Sequence, residues 1–410
     1  MLMLKALRHR EISRLWFGQA LSSIGDEIYR VGLTWLAVGL IGANTGYLNA
    51  AQAAALMILS FVGGKWADHW EPLRTMVRVD LIRSGIVMIP VVYYYIAPVP
   101  LWLLVLVALL LSGLGAFFDP ALQTALPRFS PDLQTLRAAT GLMSTTTRLA
   151  RMVGPALVGF LSGVFPPIHF FTLDAISFAI SASSVRSLRA MERADGREPV
   201  RIAKKDRQHI SFTEAIISGF RLVQREKGMP FMMISKAITS GTWNLAYGLG
   251  FALLVQELAP NDTRSFGLVI ASYGVGNFAG ALYFGNTERK HPGLMMFSGY
   301  MWLGLGFAFV ALAPSIAWIM PAAAFAGFSG PMNELTFVDL VQKRFRIAEM
   351  AKVYRLRIAT ETATTLLLLL ISPLILKHLS VRVVISLCGV TWIAAGLIGL
   401  LWFEHKDTQI

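Results

Sequence analysis

Apolar runs of about 18 or more residues recur along the whole sequence, and each is long enough to cross a hydrocarbon core of roughly 30 Å. The composition agrees with such crossings. Only 15% of the residues are charged and the mean hydropathy is +0.57, whereas soluble domains carry roughly 25% charged residues. The sequence therefore predicts an all-α integral membrane protein with many transmembrane helices.

Twelve apolar segments can be placed along the chain. They lie near residues 14–40, 46–63, 79–97, 101–122, 137–164, 167–187, 229–258, 265–286, 293–313, 315–338, 350–376 and 380–403. The polar, basic stretch 188–210 cannot fill a core, and 211–227 is predicted to form an amphipathic helix on the membrane surface. The expected domains are a six-helix half over 1–187, a cytoplasmic linker over 188–228 and a second six-helix half over 229–410.

Charge predicts the orientation. Lys and Arg cluster before span 1, in the linker, and between spans 2 and 3, 4 and 5, and 10 and 11, whereas the connections near 41–46, 97–100, 164–167 and 313–315 carry none. By the positive-inside rule both termini and the linker are cytoplasmic, with Lys377 and Arg382 as exceptions. The net charge of +13 then reports topology rather than nucleic-acid binding.

Cysteine and targeting signals add little. The single cysteine, Cys388, lies in an apolar run, so disulfides and cysteine metal sites are not expected. The N-terminal residues lack the short apolar region and small-residue cleavage site of a signal peptide. We expect a monomer in a bacterial inner membrane with no metal and no cofactor, driven by the proton gradient.

A faint internal repeat relates the two halves. GAFFDPALQ at 115–123 aligns with AGFSGPMNE at 326–334, so Pro120 matches Pro331 at an offset of 211 residues. On that offset Arg148 of span 5 falls near Arg357 and Glu361 of span 11. Two parallel six-helix halves of this kind are typical of a transporter whose site lies between the halves.

The stretch GGKWADHWEPLR at 63–74 separates spans 2 and 3. Its paired glycines permit close helix approach, and Pro72 forbids a continuous helix. Asp68 and Arg74 could clamp helix ends through charge-assisted hydrogen bonds, although a polar hairpin would also explain the pattern. In the clamp hypothesis Asp68 meets the N-terminal end of span 11, near 352–357, where backbone N–H groups favour an anion.

These residues carry a family resemblance that covers nearly the whole chain. Gly64, Asp68 and Arg74 resemble the signature loop of the major facilitator superfamily, G-x-x-x-D followed by a basic residue, although Pro72 stands where that signature usually has glycine. The resemblance implies the major facilitator fold and alternating access, with 63–74 as a conformational-switch loop.

Within the superfamily the sequence resembles the branch of enterobactin exporters and macrolide-efflux proteins. The similar stretches are 15–36, 78–90, 117–127, 147–161 and 170–182. Gly154, Pro155 and Gly159 also resemble the span 5 motif of antiporters, G-P-x-x-G-G, with Val158 replacing the first glycine of the final pair. The branch implies export of small molecules.

Charges inside spans are costly and usually face a cavity or a partner. Asp26 and Arg30 share a face of span 1, and Glu27 lies three residues from Arg30. The three residues could form a self-neutralised structural cluster. They could also form a proton site, and we favour Asp26 as the carrier because it matches the branch's S-x-x-G-D; Glu27 and Glu361 are further candidates.

Other candidates are assigned by position. Arg148 could bind an anionic group in the cavity or pair with Asp119, and Arg357 with Glu361 allows the same two readings. Asp119 and Glu334 lie near cytoplasmic span ends, where gate salt bridges would form. The remaining cavity candidates are Arg30, Trp35 and Asn244. Asp80 and Arg83 are expected to brace the signature loop, and Asp174 and Lys236 are weaker candidates.

The function predicted is proton-coupled export of a small amphipathic or siderophore-like molecule by a secondary transporter. Arg148 has no obvious partner in its own span, and an unpaired buried arginine is costly, so an anionic substrate is favoured over a cationic drug. Alternatives of the same fold are a lysophospholipid flippase or a solute importer. An enzyme is not expected, because no buried nucleophile–base pair and no phosphate-binding loop appears. A receptor or scaffold would not require paired charges in matching half-repeats.

Overall fold

A computed structural model gives the fold. It describes residues 6–67, 71–194, 212–285 and 291–404, with the side chains of 60–67, 193–194, 212–215, 347–348, 351 and 403–404 outside that description. The described residues form helices and contain no strand. The prediction of an all-α protein with twelve transmembrane helices is confirmed.

The first set of helices is continuous along each span. They are α1 (Arg10–Ile41), α2 (Thr45–Ala67), α3 (Pro72–Tyr94), α4 (Leu101–Ala125), α5 (Leu133–Leu161) and α6 (His169–Ala194). Helix α3 begins seven residues before the predicted span because Pro72 occupies its first turn, where a missing N–H costs nothing. The side chain of Asp132 caps α5 by accepting a hydrogen bond from Thr135 N at 2.7 Å, and this backbone hydrogen bond lowers the pKa of Asp132.

The second set contains two broken spans. The helices are α7 (Phe212–Arg225), α8 (Met229–Trp243), α9 (Phe251–Leu258), α10 (Thr263–Gly285), α11 (Pro292–Leu312), α12 (Ile316–Phe328), α13 (Gly330–Arg344), α14 (Ile347–His378) and α15 (Val381–Glu404). A π-helical segment, Asn244–Gly250, joins α8 to α9 within predicted span 7. Predicted span 10 is divided between α12 and α13 at Ser329, just before Pro331.

The predicted amphipathic helix is present as α7. Helix α7 packs against α14, and its predicted place on the membrane surface stays a prediction. A Cβ added to Gly219 would lie 2.7 Å from Lys352 O, and Val223 is 2% exposed within a core that includes Leu356. Part of the apolar surface of α7 therefore packs against the second set of helices, while Ile217 and Phe220 are 45% and 51% exposed.

Length and apolarity alone mark six helical segments of the described chain as able to cross a membrane. The other spans carry more charge: α3, for example, contains Arg74, Arg78, Asp80 and Arg83. Large apolar side chains such as Ile82, Leu106 and Phe309 are exposed on the helices, which suits contact with lipid.

The chain divides into two compact units, Met1–Leu40 with Ala51–Arg207, and Ile41–Ala50 with Gln208–Ile410. In the first unit α3 packs against α4 and α6. Gly18, Gly25 and Gly32, at intervals of seven residues on α1, all face α6 so closely that an added Cβ would touch it. Small residues at such positions let membrane helices approach each other. In the second unit α14 packs against α7 and α8, and α11 against α15.

Candidate functional site

Glu27, in the middle of α1, forms ion pairs with two arginines. Arg30 forms an ion pair with Glu27, and its Nε lies 2.9 Å from Glu27 Oε2. The Nε of Arg151 on α5 lies 3.7 Å from the other oxygen of Glu27. Of the two carboxylates within reach of Arg30, Glu27 is the one for which the structure shows an ion pair. The sequence could not decide this, because i,i+3 and i,i+4 partners are both within reach on a helix.

Asp26 belongs instead to a group of charges around Arg83 on α3. The Nη1 of Arg83 lies 4.0 Å from Asp80 Oδ1 on the same helix. The charge of Arg83 also acts on Asp26 of α1, Asp119 of α4 and Asp174 of α6. Four helices thus carry carboxyl groups on which the charge of this one cation acts. We call these five residues the Arg83 cluster.

The four acids of the Arg83 cluster differ in their exposure. Asp80 and Asp174 are 0% exposed, whereas Asp26 and Asp119 are exposed. Sequence reasoning expected Asp80 and Arg83 to brace the signature loop and ranked Asp174 low. The cluster depends on contacts between distant parts of the chain, so its members could have been found only by treating every intramembrane carboxylate as a site candidate.

Glycine sets the approach of α1 to this cluster. An added Cβ on Gly25 would lie 2.7 Å from Ser177 Cβ and 2.8 Å from Asp174 Oδ1. Real side-chain atoms do not come so close, so Gly25 is required where α1 meets α6. The residue after Gly25 is Asp26. The same contact therefore holds the exposed Asp26 near the buried Asp174.

The signature loop is described only in part. Asp68 lies outside the described residues, so its predicted clamp stays a prediction. Gly64 belongs to the last turns of α2, and Arg74 is exposed on α3. The ion pair that the structure does show was missed by sequence reasoning. Arg189 of α6 donates from Nε and Nη2 to the two carboxylate oxygens of Glu71, at 2.8 and 2.9 Å.

The span 5 motif lies where α5 meets α1. Gly154, Pro155 and Gly159 are buried. A Cβ added to Gly154 would lie 2.5 Å from Glu27 Cβ and 3.4 Å from Ile24 O. The motif glycine therefore fixes α5 against the turn of α1 that carries Asp26 and Glu27.

Gly154→Ala should separate α5 from α1, because Glu27 Cβ is attached to backbone and cannot rotate away. We expect a loss of about 1–3 kcal/mol of stability, as is usual for overpacking, seen as a lower thermal-unfolding midpoint of the purified protein. Gly85→Ala in α3 is the matched control, since its added Cβ meets nothing within 4 Å. Equal midpoints for the two variants would contradict this role for the motif.

The second unit contains a continuous ion-pair network. Glu334 Oε2 of α13 lies 2.7 Å from Lys236 Nζ of α8 and 2.7 Å from Arg357 Nη2 of α14. Arg357 Nε also binds Glu361 Oε1 at 2.7 Å. Two cations and two carboxylates balance one another. Glu334, predicted as a gate residue, and Glu361, predicted as a proton carrier, are thus both engaged with Arg357.

The remaining cavity candidates differ in exposure. Arg148 is exposed, and among the described residues the structure shows no ion pair for it with Asp119 or any other carboxylate. The premise that Arg148 is a buried arginine is therefore wrong. Trp35 is 4% exposed, which favours packing over substrate contact. Asn244 begins the π-helical segment and donates to Ser240 O at 3.0 Å.

An aromatic group surrounds this π-helical segment. Trp243 stacks on Tyr247 with ring centroids 4.5 Å apart, and its Nε1 donates to Tyr273 O–H at 2.8 Å. A Cβ added to Gly248 would meet nothing within 4 Å. Single π-helical turns are frequent at functional sites, and this one was not predicted from the sequence.

Twelve transmembrane helices with charged clusters in their interiors define a membrane transporter with the major facilitator fold. The solved structures agree on the fold. The POT family transporter PepTSo has a TM-score of 0.72 at 12% identity, covering 98% of this chain and 99% of that chain. An auto-inhibited POT family peptide transporter has a TM-score of 0.71 at 12% identity, covering 96% and 97%.

The chain belongs to the transmembrane secretion effector family of the major facilitator superfamily, whose family model matches residues 3–338. The multidrug efflux pump Tap of Mycolicibacterium fortuitum is 23% identical over 76% of each chain. The staphyloferrin A transporter of Staphylococcus aureus is 25% identical over 38% of this chain and 40% of its own. Multidrug resistance protein 1 of Bacillus subtilis is 24% identical over 46% and 48%. The predicted resemblance to siderophore and drug exporters is confirmed, and the chain is a multi-pass membrane transporter of the efflux type.

Proposed function

We propose that the protein exports a small amphipathic or siderophore-like molecule in exchange for protons, by alternating access. The observation that carries the proton coupling is the difference between the two charged clusters. The network of Lys236, Glu334, Arg357 and Glu361 is charge-balanced. The Arg83 cluster holds four carboxyl groups against one arginine. An excess of carboxylates inside a membrane protein is typical of proton relays.

Asp26 is the proposed proton carrier. It is exposed, so a proton can reach it from water, and it lies next to the contact of Gly25 with Asp174. Glu27 is less suited because Arg30 and Arg151 both hold it, and Glu361 is held by Arg357. For the other cavity candidates we propose only a position beside the substrate path; they are Arg30, Trp35, Asn244 and Arg357.

The setting of this activity is proposed as well. The basic connections support cytoplasmic termini in a bacterial inner membrane. We propose a monomer that binds its substrate and the lipid bilayer, not nucleic acid, that needs no cofactor beyond the proton gradient, and that performs no chemistry on its substrate. Gly64, Asp68 and Arg74 are proposed as the conformational switch and Asp119 and Glu334 as gate residues.

The substrate class rests on two observations. The relatives carry the names of multidrug efflux pumps and of a staphyloferrin A transporter. The exposed guanidinium of Arg148 offers a planar fork that suits carboxylate or catecholate oxygens. We therefore favour an anionic or metal-chelating substrate over a purely cationic drug. A lysophospholipid flippase or a solute importer of the same fold is the alternative.

Export from loaded cells tests the proposed function. Bacteria that produce the protein are loaded with ethidium, erythromycin or staphyloferrin A, and the loss of each compound is followed after energy is restored. We expect faster loss of at least one compound, unmodified, than from cells with an empty vector. Net uptake instead of loss would favour the importer, and movement of labelled lysophospholipid between leaflets would favour the flippase.

Arg148→Ala should raise the apparent KM for staphyloferrin A by about tenfold, the effect of losing roughly 1.4 kcal/mol of binding, and leave the KM for ethidium unchanged. The reason is that a guanidinium attracts an anion and repels a cation. Arg137→Ala, exposed nearer the start of the same helix, is the control. If ethidium is the better substrate and Arg148→Ala does not affect its export, the cationic-drug interpretation replaces this one.

A further inference from the structure

We propose that the buried carboxyl groups of Asp80 and Asp174, together with the buried Arg83, form a second proton-binding site, separate from Asp26. Proton binding forms one O–H bond on a carboxyl oxygen of the pair, and release breaks the same bond. The site deepens the proposed function by giving the transporter a buried proton store. The same proton site could serve an exporter or an importer.

The first observation is a set of unsatisfied buried atoms. Both carboxyl oxygens of Asp80, Oδ2 of Asp174 and Nε of Arg83 are buried without a hydrogen-bond partner among the described residues. Buried polar atoms in native proteins are almost always paired. Three of these four atoms are acceptor oxygens, so a proton bound to the pair adds a donor among them, whereas a fully ionised pair would leave Arg83 Nε as the one unpartnered donor of this set.

The second observation is that two fully buried carboxyl groups share a single arginine. Asp80 and Asp174 are both 0% exposed, on the adjacent helices α3 and α6, and Arg83 is the cation whose charge acts on both. Phe118 and Phe178 face the guanidinium, with ring centroids 5.3 Å from its central carbon. One arginine can neutralise one carboxylate, so the second is stable in such apolar surroundings only when neutral.

The groups that face the pair come from every neighbouring helix. Helix α1 contributes Asp26 and the hydroxyl of Tyr29, which is buried without a partner. Helix α4 contributes Asp119, and α6 contributes the hydroxyls of Ser177 and Ser181. Among the described residues Arg83 is the cation that acts on both acids. The surroundings are therefore acidic, which favours binding of a proton over its loss.

A proton is the occupant that the residues fit. The described residues include no group of three His, Cys, Asp or Glu side chains placed to hold a metal ion. The charge of Arg83 acts on both acids and would repel a second cation. The exposed acids Asp26 and Asp119 share Arg83 with the buried pair. They therefore offer a route for a proton between water and the store.

Infrared spectroscopy of the purified protein in lipid nanodiscs tests the site without any substrate. At about pH 7 an ordinary aspartate is ionised, so a C=O stretch of a protonated carboxyl group marks an unusual site. The measurement is made on Asp26→Asn, where Asp26 cannot contribute. We expect the band to persist in that variant and to be lost when Asp80→Asn or Asp174→Asn is added. Asp132→Asn, which keeps a capping residue at the start of α5, should leave the band in place.

Two infrared results would contradict the proposed proton site. A band that survives the added Asp80→Asn and Asp174→Asn substitutions together, or a band that disappears on addition of sodium ions at constant pH, would overturn the proposal. Thermal unfolding of each variant shows whether it is correctly folded. Because Asn closely resembles a neutral Asp, each single substitution should leave the thermal-unfolding midpoint nearly unchanged. A large fall in the midpoint would mean that both acids are ionised in the native protein. Failure of proton-driven export alone would reject the proposed function and leave this band untouched.

Discussion

Arg83→Met is expected to destabilise the protein by about 3–5 kcal/mol, the cost of leaving a buried charge without its partner. Arg83 is 9% exposed and is the cation that acts on Asp26, Asp80, Asp119 and Asp174. Its removal takes away the one cation that the described residues place near those carboxyl groups. The loss should be smaller at low pH, because protonated acids do not need one. Unfolding of the purified protein at two pH values, followed by tryptophan fluorescence, measures both effects.

Two further variants separate this cause from a general packing defect. Arg151→Met removes an arginine that is 67% exposed and should change stability by about 1 kcal/mol or less. Adding Asp80→Asn to Arg83→Met should restore part of the loss, because one unpaired acid is removed with its partner. Strictly additive effects, or a variant as stable as the unsubstituted protein, would show that the Arg83 cluster does not hold the helices together.

Asp26→Asn is expected to abolish uphill export driven by a pH gradient, reducing it to the level of cells without the protein. Asn cannot carry a proton, so the step that couples proton entry to substrate exit is lost. Downhill counterflow, which needs no net proton movement, should continue. Both are measured with the compound that the loaded-cell assay identifies, whether ethidium, erythromycin or staphyloferrin A.

Glu27→Gln is the adjacent control. Glu27 is held by Arg30 and Arg151, so its substitution should weaken the contact of α1 with α5 and leave coupling intact. Full uphill export by Asp26→Asn would remove Asp26 from the mechanism. Loss of coupling in Glu27→Gln alone would identify Glu27 as the carrier.

The number and order of the transmembrane helices could be predicted from the sequence because lipid imposes a length and an apolar composition on each span. Helix interruptions were harder. Predicted span 10 breaks at Ser329 before Pro331, and predicted span 7 contains the π-helical segment Asn244–Gly250. Hydropathy depends on composition, and neither interruption changes the apolar composition of its span.

The candidate site was predictable only where partners are close in sequence. Arg357 with Glu361 follows from i,i+4 spacing, and the structure shows that pair. The contacts of Lys236 with Glu334, of Glu71 with Arg189 and of the Arg83 cluster join distant helices. A single sequence shows that charged residues lie in membrane-spanning segments, where they cost free energy. It does not show which helices pack against each other. The same limit explains the error about Arg148, whose exposure depends on its neighbours in space.

Exchange of substrate for protons can be measured in everted membrane vesicles. Respiration acidifies the vesicle interior, and a pH-sensitive dye reports the gradient. With the unsubstituted protein, adding the exported compound should release protons from the interior and collapse part of the gradient, while a protonophore should stop accumulation of the compound. A compound that accumulates at the same rate with and without the protonophore, and that leaves the gradient unchanged, would contradict proton-coupled export.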